Sequence, residues 1–328
     1  MKVLLLGGYR FVGRAIIEAA QARGHIVTAF NRGNAETLPD VEEIRGDRDD
    51  PQVLARRSWD AVIDTSGYIP RHVLASAGVL CDLVETYVFV STLAVYAEPM
   101  TVGSDESAAR KPFPTGADPN GSDLSAQTYG PRKVLCENAL ESAVPGRYVA
   151  VRAGYIVGPY DNTDRFSSWV ERAARSEPFL VPGESDAPLQ MIDVRDLAAW
   201  ILGAAEARLR GPYNVTAPAR PYTVLDVARA CIAGTGSRAV PAVVPSDAAK
   251  AAGLVPGRHI PFWTEPEAYS LMRVNVERAL ATGLRTRPLV DTVRDTWAWL
   301  RTSNHPRQVV CPPELERAAI AAAGEATP

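Results

Sequence analysis

One stretch limits the fold more than any other: MKVLLLGGYRFVGRAII, residues 1–17. Val3 to Leu6 form an apolar run that stops at two glycines, the pattern of a strand buried on both faces. From Phe11 the period changes, and Phe11, Ala15, Ile16, Ala19 and Ala20 recur at helical spacing until Gly24 ends the helix. A buried strand, a glycine turn and an amphipathic helix make the first half of a βαβ unit. The unit also raises a question, because a large cation, Arg10, stands where a nucleotide-binding loop often has a further glycine.

The alternation continues. HIVTAF and VEEIRG read as the next strands. A short helical stretch at 51–57 precedes the strand DAVIDTSG, and a helix within 69–84 precedes TYVFVST. A helix at 126–142 then leads into RYVAVRAG, a sixth strand. Strands alternating with helices at this spacing predict an α/β chain with a Rossmann-type, doubly wound parallel sheet. Two stretches break the rhythm. Residues 98–124 are a long polar loop, of the kind that serves function or stays mobile. From about residue 161 prolines multiply, which places a smaller C-terminal α/β substrate domain there. The expected boundaries are 1–160 for the nucleotide-binding domain, with 187–215 returning to it. Residues 161–186 and 216–304 form the substrate domain, and 305–328 a tail with a surface helix at 313–323. Leu289, Val293, Trp297 and Leu300 mark an amphipathic helix over 288–302.

Composition excludes several classes. A net charge of −3 with acids and bases interspersed offers no footprint for nucleic acid or an anionic membrane. The N-terminal apolar run is too short to span a bilayer and has no cleavage pattern, so a soluble cytoplasmic protein is expected. The four cysteines are far apart without a CxxC pair and read as buried free thiols. His25, His72, His259 and His305 lack ligand spacing, so no metal site is expected.

Gly7, Gly8 and Gly13 lie between a strand and its helix, where backbone amides and the helix dipole can hold a pyrophosphate. An acid about 20 residues on would bind the adenosine ribose of NAD. That place holds Asn31, followed by Arg32. Neutral Asn31 does not repel a 2′-phosphate, and Arg32 can pair with one, as can Arg10 from the adjacent loop. The expected cofactor is therefore NADP(H) rather than NAD(H), with solvated surface arginines as the alternative. Asp47, in GDRDD, lies near the adenine or else caps the 50–57 helix.

Tyr129 and Lys133 in TYGPRK share one helix face. Bringing a phenol from its usual pKa near 10 to neutrality takes about 4 kcal/mol. One ammonium about 4 Å away supplies roughly that at an effective dielectric near 20. The pair is thus an adequate proton donor and acceptor. VFVSTLAVY places the hydroxyls of Ser91 and Thr92 at the carboxyl edge of the sheet, where such folds bind ligands.

Together with RAGYIVGP and QMIDVRDLA, these motifs resemble the extended branch of the short-chain dehydrogenase/reductase superfamily, the NAD(P)-dependent epimerases, dehydratases and reductases. The resemblance covers about residues 1–302, and GGxRFxG is similar to a less typical subgroup. It implies Tyr129 as acid/base, with Lys133 lowering its pKa and holding the nicotinamide ribose. The family's hydroxyl residue lies three positions before the valine of its V-Y pair. That valine is Val95 here, which makes the residue Thr92, with Ser91 as the other candidate. Cofactor contacts are expected at Gly7, Gly8, Arg10, Phe11, Val12 and Gly13, at Asn31, Arg32 and Asp47, and at Thr65, Ser66 and Gly67. A small-molecule substrate is implied, with Ser91, Tyr155 and Trp263, and also Tyr269, as candidate contacts. Dimers through helices flanking the sheet are common in the superfamily.

Departures from the family pattern narrow the reaction. Dehydratases resemble S-T-D-E-V-Y, but Leu93 and Ala94 replace the acids here. Sugar-nucleotide epimerases place a diphosphate-binding Asn and Arg where this chain has Tyr155 and Leu189. The expected activity is NADPH-dependent reduction of a ketone on a small metabolite. The alternatives are an epimerase and, further off, a non-catalytic NADP-binding or RNA-associated protein.

Overall fold

The computed structural model describes residues 1–34, 37–121, 124–175, 177–216, 220–304 and 311–325. Parts of the long loop (122–123) and of the expected tail (305–310 and 326–328) lie outside the described residues. Two compact units emerge. The first comprises Met1–Gly154, Val194–Thr216 and Val274–Arg285, and the second Tyr155–Asp193, Ala217–Arg273 and Thr286–Pro328.

In the first unit β1 (Lys2–Leu6) leads through the glycine loop into α1 (Phe11–Ala22). There follow β2 (Ile26–Asn31), β3 (Glu42–Arg45), β4 (Trp59–Asp64), α2 (Pro70–Leu80), β5 (Val84–Thr92), α3 (Ala126–Ala143) and β6 (Tyr148–Ala153). A last strand, Gly211–Val215, completes a seven-stranded sheet in the order last strand, β6, β5, β4, β1, β2, β3. Every pairing is parallel. The order reverses beside β1, so the carboxyl ends of β1 and β4 flank the crevice where such sheets take ligands. Both faces are covered, which is why the central strands read as unbroken apolar runs. Leu4, Leu6, Val62 and Phe89 pack beneath Val73, Ala77, Leu80 and Leu140 of α2 and α3. On the other face α1 packs beside the helix Val194–Glu206.

Residues 274–285 lie within the 216–304 segment assigned to the substrate domain from sequence, yet they pack with the sheet unit. The Asn275 carbonyl accepts from Asn214 Nδ2 at 2.9 Å, and the Arg278 guanidinium lies 4.3 Å from the centre of the Tyr213 ring.

The second unit has its own core of Phe166, Trp169, Phe179, Leu189, Val227, Val293 and Leu300. Among the described residues its strands pair in twos, for example Phe179–Pro182 with Pro241–Val244. Helix Val224–Thr235 starts at a capping box of Thr223 and Asp226. The C-terminal helix Pro313–Glu325 is more than the surface element expected. Its Glu316 is buried against Arg172 at 2.7 Å, and Ala319 is fully enclosed. No helix among the described residues is long and apolar enough to cross a membrane.

Candidate active site

The glycine loop owes its residues partly to packing. A Cβ on Gly13 would stand 2.0 Å from the Gly8 carbonyl oxygen, and Gly7, at φ +138°, would drive one into Thr65 Oγ1. Those two glycines let the first turn of α1 close onto the loop. Gly8 is different, because nothing in the chain lies within 4 Å of where its Cβ would be. Helix α1 starts at Arg10 with no side-chain cap and no acid in its first turn. Its leading N–H groups and the space over Gly8 fit a pyrophosphate. Phe11 (φ 38°) and Val12 lie half-buried at this helix start.

At the tip of β2, Asn31 Oδ1 accepts from Gly33 N at 2.7 Å, and Asn31 Nδ2 is buried without a hydrogen-bond partner among the described residues. Arg10 and Arg32 are exposed, and neither side chain forms a hydrogen bond or close ion pair among the described residues. Asp47 accepts from Asp49 N at 3.0 Å. That bond, followed by the charge of Arg32, holds its carboxyl below the usual range. The cap of the short helix Pro51–Arg56 is Asp50, which removes the capping alternative for Asp47.

Thr65 and Ser66 turn their hydroxyls to the Leu6 carbonyl, at 3.3 and 3.2 Å, and so tie β4 to β1. The Gly67 carbonyl accepts from Lys133 Nζ at 2.9 Å.

Lys133 is buried. Its ammonium also donates to the Val90 carbonyl at 2.6 Å and lies 4.1 Å from the centre of the Phe89 ring. These bonds use two of its three protons. Loss of solvent brings its pKa down to about 8, against the pull of nearby Asp64 and Glu137. Tyr129 lies one turn earlier on α3, half-buried, its ring centre 6.4 Å from that of Tyr68. Tyr68 in turn lies under the ammonium, which is 5.0 Å from its ring centre. Thr92 Oγ1 accepts from Ala94 N at 3.2 Å, so its own proton remains to be donated. Gly130 brings this turn and α3 together, as a Cβ there would be 2.1 Å from the Ala94 carbonyl oxygen.

Ser91 is already engaged, lower down on α3. The Ser91 hydroxyl is buried, donating to Glu137 Oε1 at 2.7 Å. Of the two hydroxyl candidates, only Thr92 lies on the turn that Gly130 brings against α3.

Two charged clusters under the site escaped the sequence reading. Glu137 accepts from Arg152 Nε at 3.1 Å and from its terminal nitrogen at 2.8 Å, and from Arg110 of the long loop at 3.2 Å. Arg152 also donates to Tyr96 Oη and to the Glu106 carbonyl, each at 2.9 Å, so the loop is pinned at two points. In the second cluster Arg48 forks onto Asp64, which also accepts from Tyr87. Both clusters left traces. Glu137 extends the stripe of Tyr129 and Lys133 by one turn, and Arg152 and Asp64 are charges that follow apolar runs in their strands.

In the second unit the Tyr155 ring packs on Phe262 at 4.8 Å. Trp263 is buried with its indole N–H on Ser246 Oγ at 3.2 Å, and Tyr269 is half-buried at the edge of that core. Leu189 is wholly buried in a short strand paired with Tyr222.

The sequence model of the NAD dependent epimerase/dehydratase family matches residues 3–216. The chain belongs to that family, whose members are NAD(P)-dependent short-chain dehydrogenase/reductase enzymes. It is 26% identical over 257 residues to the chloroplast stem-loop binding protein of 41 kDa b of Arabidopsis thaliana, covering 72% of this chain and 63% of that protein. It is 30% identical over 183 residues to the 2-alkyl-3-oxoalkanoate reductase of Stenotrophomonas maltophilia, covering 49% and 52%. The chain therefore spans less than two thirds of either relative's length. Among solved structures it resembles a UDP-glucose 4-epimerase of Thermotoga maritima with UDP-glucose, at 17% identity and a TM-score of 0.66 over 92% of this chain and 99% of that one.

Proposed function

We propose that the chain is an NADPH-dependent ketone reductase acting on a small or moderately apolar metabolite. When bound, the nicotinamide supplies the hydride that adds to the carbonyl carbon. Tyr129 gives its phenolic proton to the carbonyl oxygen as that oxygen gains charge, and Thr92 donates a hydrogen bond to the same oxygen. Lys133, charged and desolvated, favours the phenolate that Tyr129 leaves behind and offers its third N–H to the cofactor ribose. The residues at the adenosine end fit a 2′-phosphate, with the exposed side chains of Arg10 and Arg32 in no hydrogen bond among the described residues and Asn31 presenting no negative charge.

One observation carries the choice of reductase over epimerase: Leu189, at the position where sugar-nucleotide epimerases place a diphosphate-binding arginine, is sealed in the second core. Tyr155, at the corresponding asparagine position, likewise brings no amide. The name of the Stenotrophomonas relative, a 2-alkyl-3-oxoalkanoate reductase, supports reduction and makes 3-oxo acids the first substrates to try. The structural likeness to a UDP-glucose epimerase favours the second reading. The net charge of −3 weighs against RNA as a partner.

The test is cofactor turnover. Purified protein should exchange its nucleotide freely and consume NADPH against a panel of ketones and 3-oxo acids. Retention of nucleotide through dialysis, with interconversion of a UDP- or dTDP-hexose pair and no net NADPH loss, makes it an epimerase instead.

A further inference from the structure

Asp64 ends β4 without any solvent exposure, and its carboxylate is ringed by donors. Arg48 reaches both oxygens, at 2.8 and 2.7 Å, Tyr87 Oη donates at 2.9 Å, and Ser66 N at 3.0 Å. Although burial alone would raise its pKa, the fork from Arg48 keeps the group below the usual carboxylate range. Arg48 also donates to Ser66 Oγ at 3.1 Å. It belongs to the 47–50 loop at the expected adenine end, whereas Asp64 is the last residue of β4 and Ser66 lies in the turn after it. One guanidinium thus fastens the two loops into one body.

The end of that turn holds the lysine. Gly67, whose carbonyl takes the Lys133 ammonium, is packed so closely that a Cβ would lie 2.4 Å from the Phe89 ring, 2.9 Å from Val73 and 3.1 Å from Asp64 Oδ2. The same Phe89 ring lies beside the ammonium. Among the described residues, Lys133 feels the anions Asp64 and Glu137, the cation Arg48 and the Cys136 thiol, which burial pushes up to about 12 and so keeps neutral, and the phenols of Tyr68 and Tyr129 also face this site.

We propose that Arg48 and Asp64 are a positioning pair for Lys133, holding the 64–67 turn that seats its ammonium and balancing the charge around it, and thereby linking the adenine-end loop to the proton-transfer group. Neither side chain reaches the substrate in this role, so they are positioning rather than catalytic residues. The proposal rests on the reading of Lys133 as part of the catalytic machinery.

The chain has four lysines, at 2, 111, 133 and 250. Full-length protein labelled with 13C at the lysine ε-carbons therefore gives four resonances, and Lys133→Met identifies the one of interest. Following it with pH measures the ammonium directly, whether or not any ketone is reduced. In Asp64→Asn one anion is gone and Arg48 is uncompensated, so the Lys133 midpoint should fall by roughly one unit. The alkaline limb of kcat should move with it. Because Asp64→Asn leaves a buried cation and can fail to fold, a second variant removes the whole cluster: Arg48→Met with Asp64→Leu and Tyr87→Phe. There the midpoint should stay near its parental value, because one charge of each sign is lost, while kcat falls about tenfold or more and KM for NADPH rises less. An unmoved midpoint in Asp64→Asn, or full kcat in the triple variant, overturns the proposal. A parent chain that reduces no ketone refutes the proposed activity and leaves the resonance measurement to decide the pairing.

Discussion

Gly130 of α3 and the carbonyl of Ala94 touch so closely that a methyl on Gly130 would stand 2.1 Å from the oxygen. The contact locks the helix that carries Tyr129 and Lys133 against the turn that carries Thr92. A Gly130→Ala change must push the two apart, because a backbone carbonyl cannot swing aside as a side-chain tip can. Misplacing reacting groups by about 1 Å can cost on the order of 100-fold in rate. Gly130→Ala should lose about that much kcat while binding NADPH within a few-fold of the parent. Steady-state kinetics beside a direct cofactor titration checks it, and unaltered kcat would show that the contact is slack.

Tyr129→Phe should abolish turnover and leave cofactor affinity nearly unchanged. The ring, its packing near Tyr68 and the helix remain, and only the transferable proton is removed. Activity comparable to the parent would take Tyr129 out of the mechanism.

NADPH should bind more tightly than NADH, and the gap should shrink with salt. Arg10→Gly with Arg32→Ala should erase most of it, since a hydrogen bond to a charged group contributes about 1.5–3 kcal/mol. Titrating the double variant with both nucleotides reads the ratio, and an unchanged ratio means the arginines face solvent.

Lys133 makes stability depend on pH in a definite direction. Its folded pKa of about 8 lies below the unfolded lysine value, so between the two the unfolded chain binds more protons and stability rises with pH. Urea unfolding of the parent and of Lys133→Met, compared at each pH, isolates the effect. The parent should gain on the variant by about 3 kcal/mol between pH 8 and 10.5, at 1.36 kcal/mol per pKa unit. A difference that is flat across this window would mean the ammonium is charged and solvated in the folded chain.

Glu137 and Arg152 are nearly enclosed, and each depends on the other. Glu137→Leu alone leaves a buried guanidinium unpaired and should cost about 3–5 kcal/mol, whereas Glu137→Leu with Arg152→Met should cost distinctly less. Equal losses in the single and double variants, measured by denaturant unfolding, would show that the pair is not coupled.

Local chemistry made much of the molecule legible in the chain. Strands buried on both faces need continuous apolar runs, so β1, β4 and β5 could be seen directly. Glycines before a helical period marked the loop at residues 7–13, and a four-residue spacing put Tyr129 and Lys133 on one face. Each of these depends on neighbours a few residues away, so each is written in consecutive residues. The family resemblance likewise rested on short motifs in order.

What the tertiary structure decided are the partnerships between distant segments. Ser91 and Thr92 are adjacent hydroxyls in sequence, and only the strand's place in the sheet ties one to Glu137 of α3 and leaves the other accepting from Ala94 N with its own proton still to donate. Asp50 rather than Asp47 caps the short helix because the loop's path carries Asp47 toward Arg32. Residues 274–285 join the sheet unit through contacts with Tyr213 and Asn214, some 60 positions away. Lys133 rests on carbonyls of residues 67 and 90, and Arg48 and Asp64, 16 residues apart, hold the turn beneath it. A charge that follows an apolar run in a strand announces that it needs a partner, but not which one. That choice belongs to the packing, because a buried charge is stable only where the fold brings its complement within hydrogen-bond reach.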